Sequence, residues 1–393
     1  MTQNIIIMST IFADTEDYTM DLNTYLSQLE YLTNIDSCSD DPEGIKKVAD
    51  FFAEGFREMG WNVTEHDFAP KTGPCLICTN READHYDLML IGHLDTVFPK
   101  GTCAEWPFRI EGNVAYGPGV SDMKNGSLLM YHLLRELPAD VNEKLNIVAV
   151  FNPDEEIGSH CSRTVYGPYA QKCDYAFLYE SGGTNGTLCV ERKGCVGITA
   201  EFIGKAGHCG YVFENGAKSA VSEMARWIVA LDALQSRERN TTVNVGVARG
   251  GTKTNVVADH ARIQVSIRFT AADETERVKA LVDKLTAESE ARGIGVNMIS
   301  YTSSQALNPT EKGKEYFEHI TRLCREKGIN IAFKPRGGLS DANLIAPFGP
   351  ICLDGLGPVG DDCHSRDEYL LIDTVQPFYE LSRVLIQDLA DRK

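Results

Sequence analysis

Apolar residues recur at three- and four-residue spacing through YLSQLEYLTNI and again through IKKVADFFAEGFREMG, which predicts two amphipathic helices between about Leu22 and Gly60. Gly60 is placed to close the second helix, and WNVTEHDF begins a strand. From there to about Glu180, apolar runs alternate with helical periods. The order is the strand DLMLIGHLD, the helix NGSLLMYHLLREL, the strand LNIVAVFN and a further helix after Ser159. Such alternation favours a mostly parallel sheet flanked by helices, an α/β class. The period changes at about Gly194. CVGITAEFIGK alternates as a strand, SAVSEMARWIVALDAL is helical, TTVNVGVARGG and HARIQVSIRFT form a strand pair, ERVKALVDKLTAESEARG is helical, and VNMISYT is a last strand. That βαββαβ order is the ferredoxin-like, or split βαβ, arrangement. After about Ser304 the first style resumes with the helix EKGKEYFEHITRLCREKG, the strand PICLDGL and a helix from Asp373.

Five polar segments stand among these elements: GHLDTV from Gly92, YGPGVSDMKNG from Tyr116, FNPDEEIGS from Phe151, LYESGG from Leu178 and GDDCHSRDEYL from Gly360. Four follow apolar runs: LMLI before His93, KLNIVAVF before the acidic triplet, YAFLY before Glu180, and PICLDGL before His364. A buried strand ending in a carboxylate or imidazole delivers that group to the carboxyl edge of a sheet, where α/β proteins bind ligands. Histidines and carboxylates converging there make a mixed N and O donor set that suits zinc. Asp95 lies two residues beyond His93, a spacing that suits a carboxylate bonding the other ring nitrogen. Asp122, in a Gly-rich turn before a helix, is placed to bridge two metals. Asp154, Glu155 and Glu156 are adjacent carboxylates whose repulsion two cations would relieve, leaving one free as a base. A lone histidine is usually structural and an acidic triplet is usually solvated surface, so it is the five segments together that carry this reading.

Composition narrows the partners. The 393 residues suffice for two domains, and 43% hydrophobic with 24% charged residues is ordinary for a soluble globular chain. A net charge of −18 argues against nucleic acid and against an anionic membrane surface. MTQNIIIMSTIFADTEDY lacks a basic n-region and a long apolar core, so no signal peptide is expected. No run approaches the roughly 18 apolar residues of a membrane span. Twelve cysteines in such a chain read as reduced thiols of a cytoplasmic protein. The lone CxxC of Cys75 and Cys78 reads as strand cysteines filling a core.

GHLDTVFPKG, YGPGVSDMK, DEEIGS, GKAGH, the Asn255 to Arg268 segment, GGLSDAN and LDGLGPVG followed by HS resemble the signatures of the M20 family of zinc peptidases and amidohydrolases, most closely its glutamate carboxypeptidase branch. The resemblance runs from about Leu22 to the C-terminus. It implies a discontinuous zinc-peptidase catalytic domain from residues 1–193 and 305–393, interrupted by a ferredoxin-like α+β lid and dimerisation domain at 194–304. It implies two zinc ions, with cobalt or manganese as substitutes: His93 and Glu180 on one, Glu156 and His364 on the other, and Asp122 bridging. Glu155 would be the general base, Asp95 would hold His93, and the Asp122–Met123 peptide would be cis. Two departures stand out. Asn125 occupies a position where glycine is common, and Asp361, Asp362 and Cys363 replace small residues before His364.

The same resemblance implies that His208, in GKAGHCG, reaches the active site of a partner subunit and stabilises an oxyanion. Asn255 and Arg268 would grip the substrate's free carboxylate, a task suited to the planar guanidinium fork. Gly337, Gly338 and Ser340 would add backbone and hydroxyl donors. A homodimer is expected through the inserted domain, using the helix around Trp227 and an edge strand near Thr241 to Ala248. Glu180, rather than an aspartate, resembles carboxypeptidases and acylases more than di- and tripeptidases. The expected activity is di-zinc hydrolysis of the amide bond of an N-acyl or N-peptidyl amino acid with a free C-terminal carboxylate, glutamate being the amino acid suggested by the branch. An aminoacylase or dipeptidase of the same fold is the alternative. A non-catalytic binding protein that kept the fold would have lost Glu155 or a ligand, and every such position is filled.

Overall fold

The apolar runs of the first style pair into one six-stranded sheet in the order Asn62–His66, Cys75–Thr79, Ile147–Asn152, Tyr86–His93, Cys173–Leu178, Ile351–Leu353. The last four run parallel, and the first two join through antiparallel pairings. The result is the mixed, mostly parallel sheet that the alternation predicts. This computed structural model describes residues 20–183 and 186–393. The N-terminal segment read above for a secretion signal lies outside them. By its internal contacts the chain divides into two units. One comprises the residues up to Val190 with Pro309–Pro335 and Ser340–Lys393, the other Glu191–Asn308 with Arg336–Leu339.

In the first unit the helices Leu22–Thr33, Pro42–Glu58, Lys124–Arg135 and Val375–Asp391 share one core with the sheet. Their periodic apolar positions supply Tyr25, Phe52, Leu128 and Leu385, all fully buried. Burying each such side chain stabilises the fold by about 1.5–3 kcal/mol. Phe52 stacks on Phe151 of the sheet with ring centroids 4.5 Å apart. Local chemistry sets the helix starts: Asp21 accepts the amide of Asn23 at 3.1 Å, and Asp41 accepts that of Gly44 at 3.3 Å beside Pro42. Cys75 and Cys78 lie buried in their strand, and all twelve cysteines are free.

A second sheet was not anticipated. It runs Arg109–Glu111, Val114–Tyr116, Tyr369–Leu371, Gly357–Asp361, Ser181–Gly182. Strands of two to five residues are too short for a period of two to stand out from loop sequence. This sheet nevertheless flanks Glu180, the turn before Asp122, and His364. It also corrects one expectation. The strand of PICLDGL ends at Leu353, and His364 follows the small-sheet strand Gly357–Asp361 rather than the end of a main-sheet strand.

The second unit is a four-stranded antiparallel sheet in the order Thr242–Gly250, His260–Phe269, Gly194–Ile203, Gly295–Ser304, with the helices Ala220–Asp232 and Glu274–Ala291. Numbered within the unit, that order is 2-3-1-4, the ferredoxin-like topology. Strict alternation along Gly194–Ile203 turns Val196, Ile198, Ala200 and Phe202 into the core. Trp227 is fully buried there, its indole N–H donating to Ser289 Oγ at 2.9 Å. Its side chain is thus core, not free surface, although the same helix exposes Val229 at 71%. Thr242–Gly250 is an edge strand. Arg336–Leu339 joins this unit by main-chain bonds between Arg336 and the Glu191 to Lys193 stretch. Among the described residues no helix is long and apolar enough to cross a membrane.

Candidate metal centre

Three neighbouring parallel strands end side by side, and their ends carry the polar segments. His93 closes the central strand and pairs with Asn152, two residues before Asp154, while Cys173–Leu178 leads into Glu180. Asp122 lies just before the helix Lys124–Arg135. That helix starts hard against the strand ends: Ser127 Oγ donates to the His93 carbonyl at 3.0 Å. A Cβ at Gly126 would sit 1.9 Å from the Tyr179 carbonyl oxygen, so only glycine permits this approach. The peptide between Asp122 and Met123 is cis, as the resemblance implies. His364 adopts a left-handed φ of 64°, uncommon for a residue with a side chain.

These elements bring five side chains into two groups that share one member. His93, Asp122 and Glu180 offer ligand atoms within 4.8 Å of one another, and so do Asp122, Glu156 and His364. His93 Nε2 lies 3.0 Å from Asp122 Oδ1 and 3.9 Å from Glu180 Oε1. His364 Nε2 lies 3.3 Å from Asp122 Oδ2 and 3.1 Å from Glu156 Oε2. Each oxygen of Asp122 therefore faces a different imidazole. Glu155 stands in neither group among the described residues.

Asp95 is fully buried. The hydrogen-bond partner of His93 Nδ1 is the main-chain carbonyl of Asp95 at 3.0 Å, and the carboxylate is 3.4 Å away. The carboxylate instead accepts the Ser39 hydroxyl at 2.6 Å and the amides of Glu155 and Glu156, each at 3.1 Å. Asp154, the first of the triplet, turns away to accept the amides of Cys161 at 2.7 Å and Ser162 at 3.2 Å. Ser340 is buried, and its hydroxyl donates to Asp354 Oδ2 at 2.7 Å, so its one proton is engaged within the fold. Its neighbour Asp341 is committed likewise, accepting from Asn152, Ser159 and Tyr166.

The charges interlock. Burial works against charge on Asp122, but hydrogen bonds from His364 and His93 hold its carboxyl well below the usual range. The bonds to Asp122 and Glu156 raise His364 to about 10. Burial opposes the charge of His93, yet Asp122 and Asp95 push it well above its ordinary value. Burial raises both Glu155 and Glu156. The two imidazoles and the carboxylates around Asp122 thus stabilise one another's charge through these hydrogen bonds. Divalent cations can take the place of the bonding protons, and the residues present fit them.

Sequence reasoning did not single out Glu368. It is fully buried and accepts the amides of Gly119 at 3.2 Å, Ser121 at 2.8 Å and Asp122 at 3.0 Å. Burial raises its carboxyl to about 7. An acidic residue in the polar run GDDCHSRDEYL carries no signal of its own.

In the second unit, His208 and Asn255 lie on loops that pair with each other: the Cys209 amide donates to the Asn255 carbonyl at 3.2 Å, and Val257 to Gly207 at 2.9 Å. His208 is exposed, its Nδ1 accepting the Gly210 amide at 3.1 Å. Arg268 is partly buried in the strand His260–Phe269, and its Nη1 is buried with no hydrogen-bond partner among the described residues. The Gly338 carbonyl accepts from Arg192 at 3.2 Å, and Gly337 sits in the same segment.

The sequence profile of Peptidase family M20/M25/M40 matches residues 89–388, and the chain belongs to that family of metal-dependent peptidases and amidohydrolases. It is a hydrolase. Carboxypeptidase G2 from Pseudomonas sp. (strain RS-16) is 27% identical over 373 residues, covering 94% of this chain and 90% of that one. A succinyl-diaminopimelate desuccinylase from Burkholderia multivorans is 27% identical over 326 residues, covering 77% and 83%. Among solved structures, the aminopeptidase PepT from Bacillus cereus has a TM-score of 0.73 at 22% identity, covering 94% of this chain and 99% of that one. An M20 family metallo-carboxypeptidase from Sulfolobus solfataricus gives 0.71 at 16% identity, covering 95% and 100%. The two structures share the fold.

Proposed function

We propose that this chain cleaves the amide bond of an N-acyl or N-peptidyl amino acid with a free C-terminal carboxylate. Two zinc ions would be held by His93, Asp122, Glu156, Glu180 and His364, with cobalt or manganese as substitutes. The observation that carries the reading is Asp122, whose two oxygens face different imidazoles at 3.0 and 3.3 Å. A ligand shared between two cations needs that placement. Imidazole and carboxylate donors suit zinc, and a bound pair supplies Lewis acidity and acidifies water.

Glu155, held through its amide by Asp95, is the carboxylate left over, and it is the general base in this reading. It receives the proton of the attacking water and hands it to the departing amine. The Asp95 carbonyl, bonded to His93 Nδ1, keeps that ring turned toward Asp122 and Glu180. Arg268 has a buried nitrogen without a partner among the described residues, which a substrate carboxylate would satisfy. Asn255 and the main chain at Gly338 would assist it. His208 would stabilise the oxyanion in the site of a partner subunit, which requires a homodimer through the inserted unit. The twelve free cysteines support a cytoplasmic setting.

The relatives leave the acyl group open, since one is named a carboxypeptidase and another a desuccinylase. Zinc-loaded protein should be given acyl-glutamates, succinylated amines, other acyl-amino acids and dipeptides, with products identified by mass spectrometry. Release of amino acids from N-acyl or N-peptidyl substrates, abolished by blocking the C-terminal carboxylate, is the expected result. Cleavage that depends on a free amino end instead would favour a dipeptidase. No cleavage of any substrate with any of the three metals would overturn the catalytic reading.

A further inference from the structure

The turn Gly119–Asp122 is gripped on two sides. On one, the Glu368 carboxylate accepts the amides of Gly119, Ser121 and Asp122 at 3.2, 2.8 and 3.0 Å. On the other, the Asn125 side-chain amide donates to the carbonyls of Val120 at 2.6 Å and Ser121 at 2.9 Å. The main chain of Asn125 is itself anchored, its backbone carbonyl accepting the buried Tyr25 hydroxyl at 2.8 Å. Both gripping side chains are fully buried.

A buried carboxylate is a costly way to fill space. Three N–H bonds to its oxygens offset that cost, and they fix the main chain up to and including Asp122. A surface turn could leave the same amides to water. The turn also has little slack: a Cβ on Gly360 would meet Ser121 Oγ at 2.1 Å. Glu368 lies four residues beyond His364, so one segment presents a candidate ligand and also grips the turn bearing the shared one. Asn125 is this chain's own contribution, because a glycine there would leave the Val120 and Ser121 carbonyls without those donors.

We infer that Glu368 and Asn125 are positioning residues for the shared ligand: they hold Gly119–Asp122 so that Asp122 can present one oxygen to each of two cations. The inference rests on the two-cation reading of the site. Neither residue is assigned contact with substrate.

Cobalt(II) titration of the full chain tests this, followed by calorimetry and absorption, with paramagnetic resonance for coupling between two bound ions. The proteins are wild type, Glu368→Gln and Asn125→Gly, each at a temperature where circular dichroism matches wild type. Wild type should take two equivalents. Glu368→Gln turns an NH2 group toward main-chain amides, and it should weaken cobalt binding about 10- to 100-fold and reduce the coupling. Asn125→Gly should act in the same direction, by roughly tenfold. Two coupled ions bound by both folded variants with wild-type affinity would overturn the inference, even if their melting temperatures fell. Should Glu368→Gln fail to fold, Asn125→Gly, which loses two bonds and no charge, decides. Fewer than two equivalents in wild type would overturn the two-cation reading and this inference with it.

Discussion

Asp95 accepts the main-chain N–H of Glu155 at 3.1 Å through one carboxylate oxygen, and its other oxygen accepts that of Glu156 at the same distance. Asp95 follows the His93 strand by two residues, and the Ser39 hydroxyl braces it at 2.6 Å. One buried side chain therefore ties the short turn Glu155–Ile157 to the strand that ends in His93. A candidate base and a candidate ligand share one anchor, so they keep their spacing from the imidazole.

The division of labour within that turn is testable. Glu155→Gln keeps the amide that Asp95 holds and removes only the proton acceptor. Metal content should stay at the wild-type level while kcat falls about 10²–10⁴-fold. Elemental analysis beside steady-state kinetics checks this, and near-normal turnover would remove Glu155 from the base role.

Arg268 offers a contrast between binding and stability. Its buried Nη1 has no partner to lose among the described residues, so Arg268→Met should barely change the melting temperature. Loss of a charge-assisted bond worth about 1.5–3 kcal/mol should raise KM roughly 10- to 100-fold for substrates with a free carboxylate. Carboxamide-blocked analogues, measured in parallel, should be poor substrates of both proteins to a similar degree. An unchanged KM for the free acids would exclude the guanidinium from carboxylate binding.

Subunit exchange examines His208. Glu155→Gln and His208→Ala are each expected to be inactive alone. If the histidine serves its partner, a mixed dimer has one site with both lesions and one with neither, and activity should partly return. Confirmed exchange with no recovery would mean that His208 does not act in trans.

Acid sensitivity is built into the inserted unit at Glu223, which is fully buried and accepts from Ser289 at 2.8 Å and from Arg226 and Arg292 at 2.9 Å. Burial raises its carboxyl, but hydrogen bonds from Arg292 and Ser289 outweigh this and hold it below its ordinary value of 4.5. A depressed carboxyl adds stability above that value and loses it as pH falls through the folded one. Glu223→Gln should therefore cost about 2 kcal/mol at neutral pH, and the gap from wild type should narrow below about pH 4. Thermal melts of both proteins across that range check the sign.

What the sequence determined by itself was local. The 3.6-residue period of IKKVADFFAEGFREMG, the alternation through Gly194–Ile203 and the apolar run ending at His93 each lie in contiguous residues, and backbone geometry turns them directly into helix, strand and sheet edge. The order of the polar segments was legible for the same reason, because parallel strands must end at one edge. Tertiary structure alone decided the relations between distant residues. It brought Glu368 to the amide of Asp122 across 246 positions and Ser39 to Asp95 across 56. It also set His364 in the turn beyond a small-sheet strand and committed the Ser340 hydroxyl to Asp354. No periodicity encodes such pairs. A buried carboxylate takes whichever N–H groups the packed backbone leaves beside it, and that choice exists only once the strands and turns have closed around it.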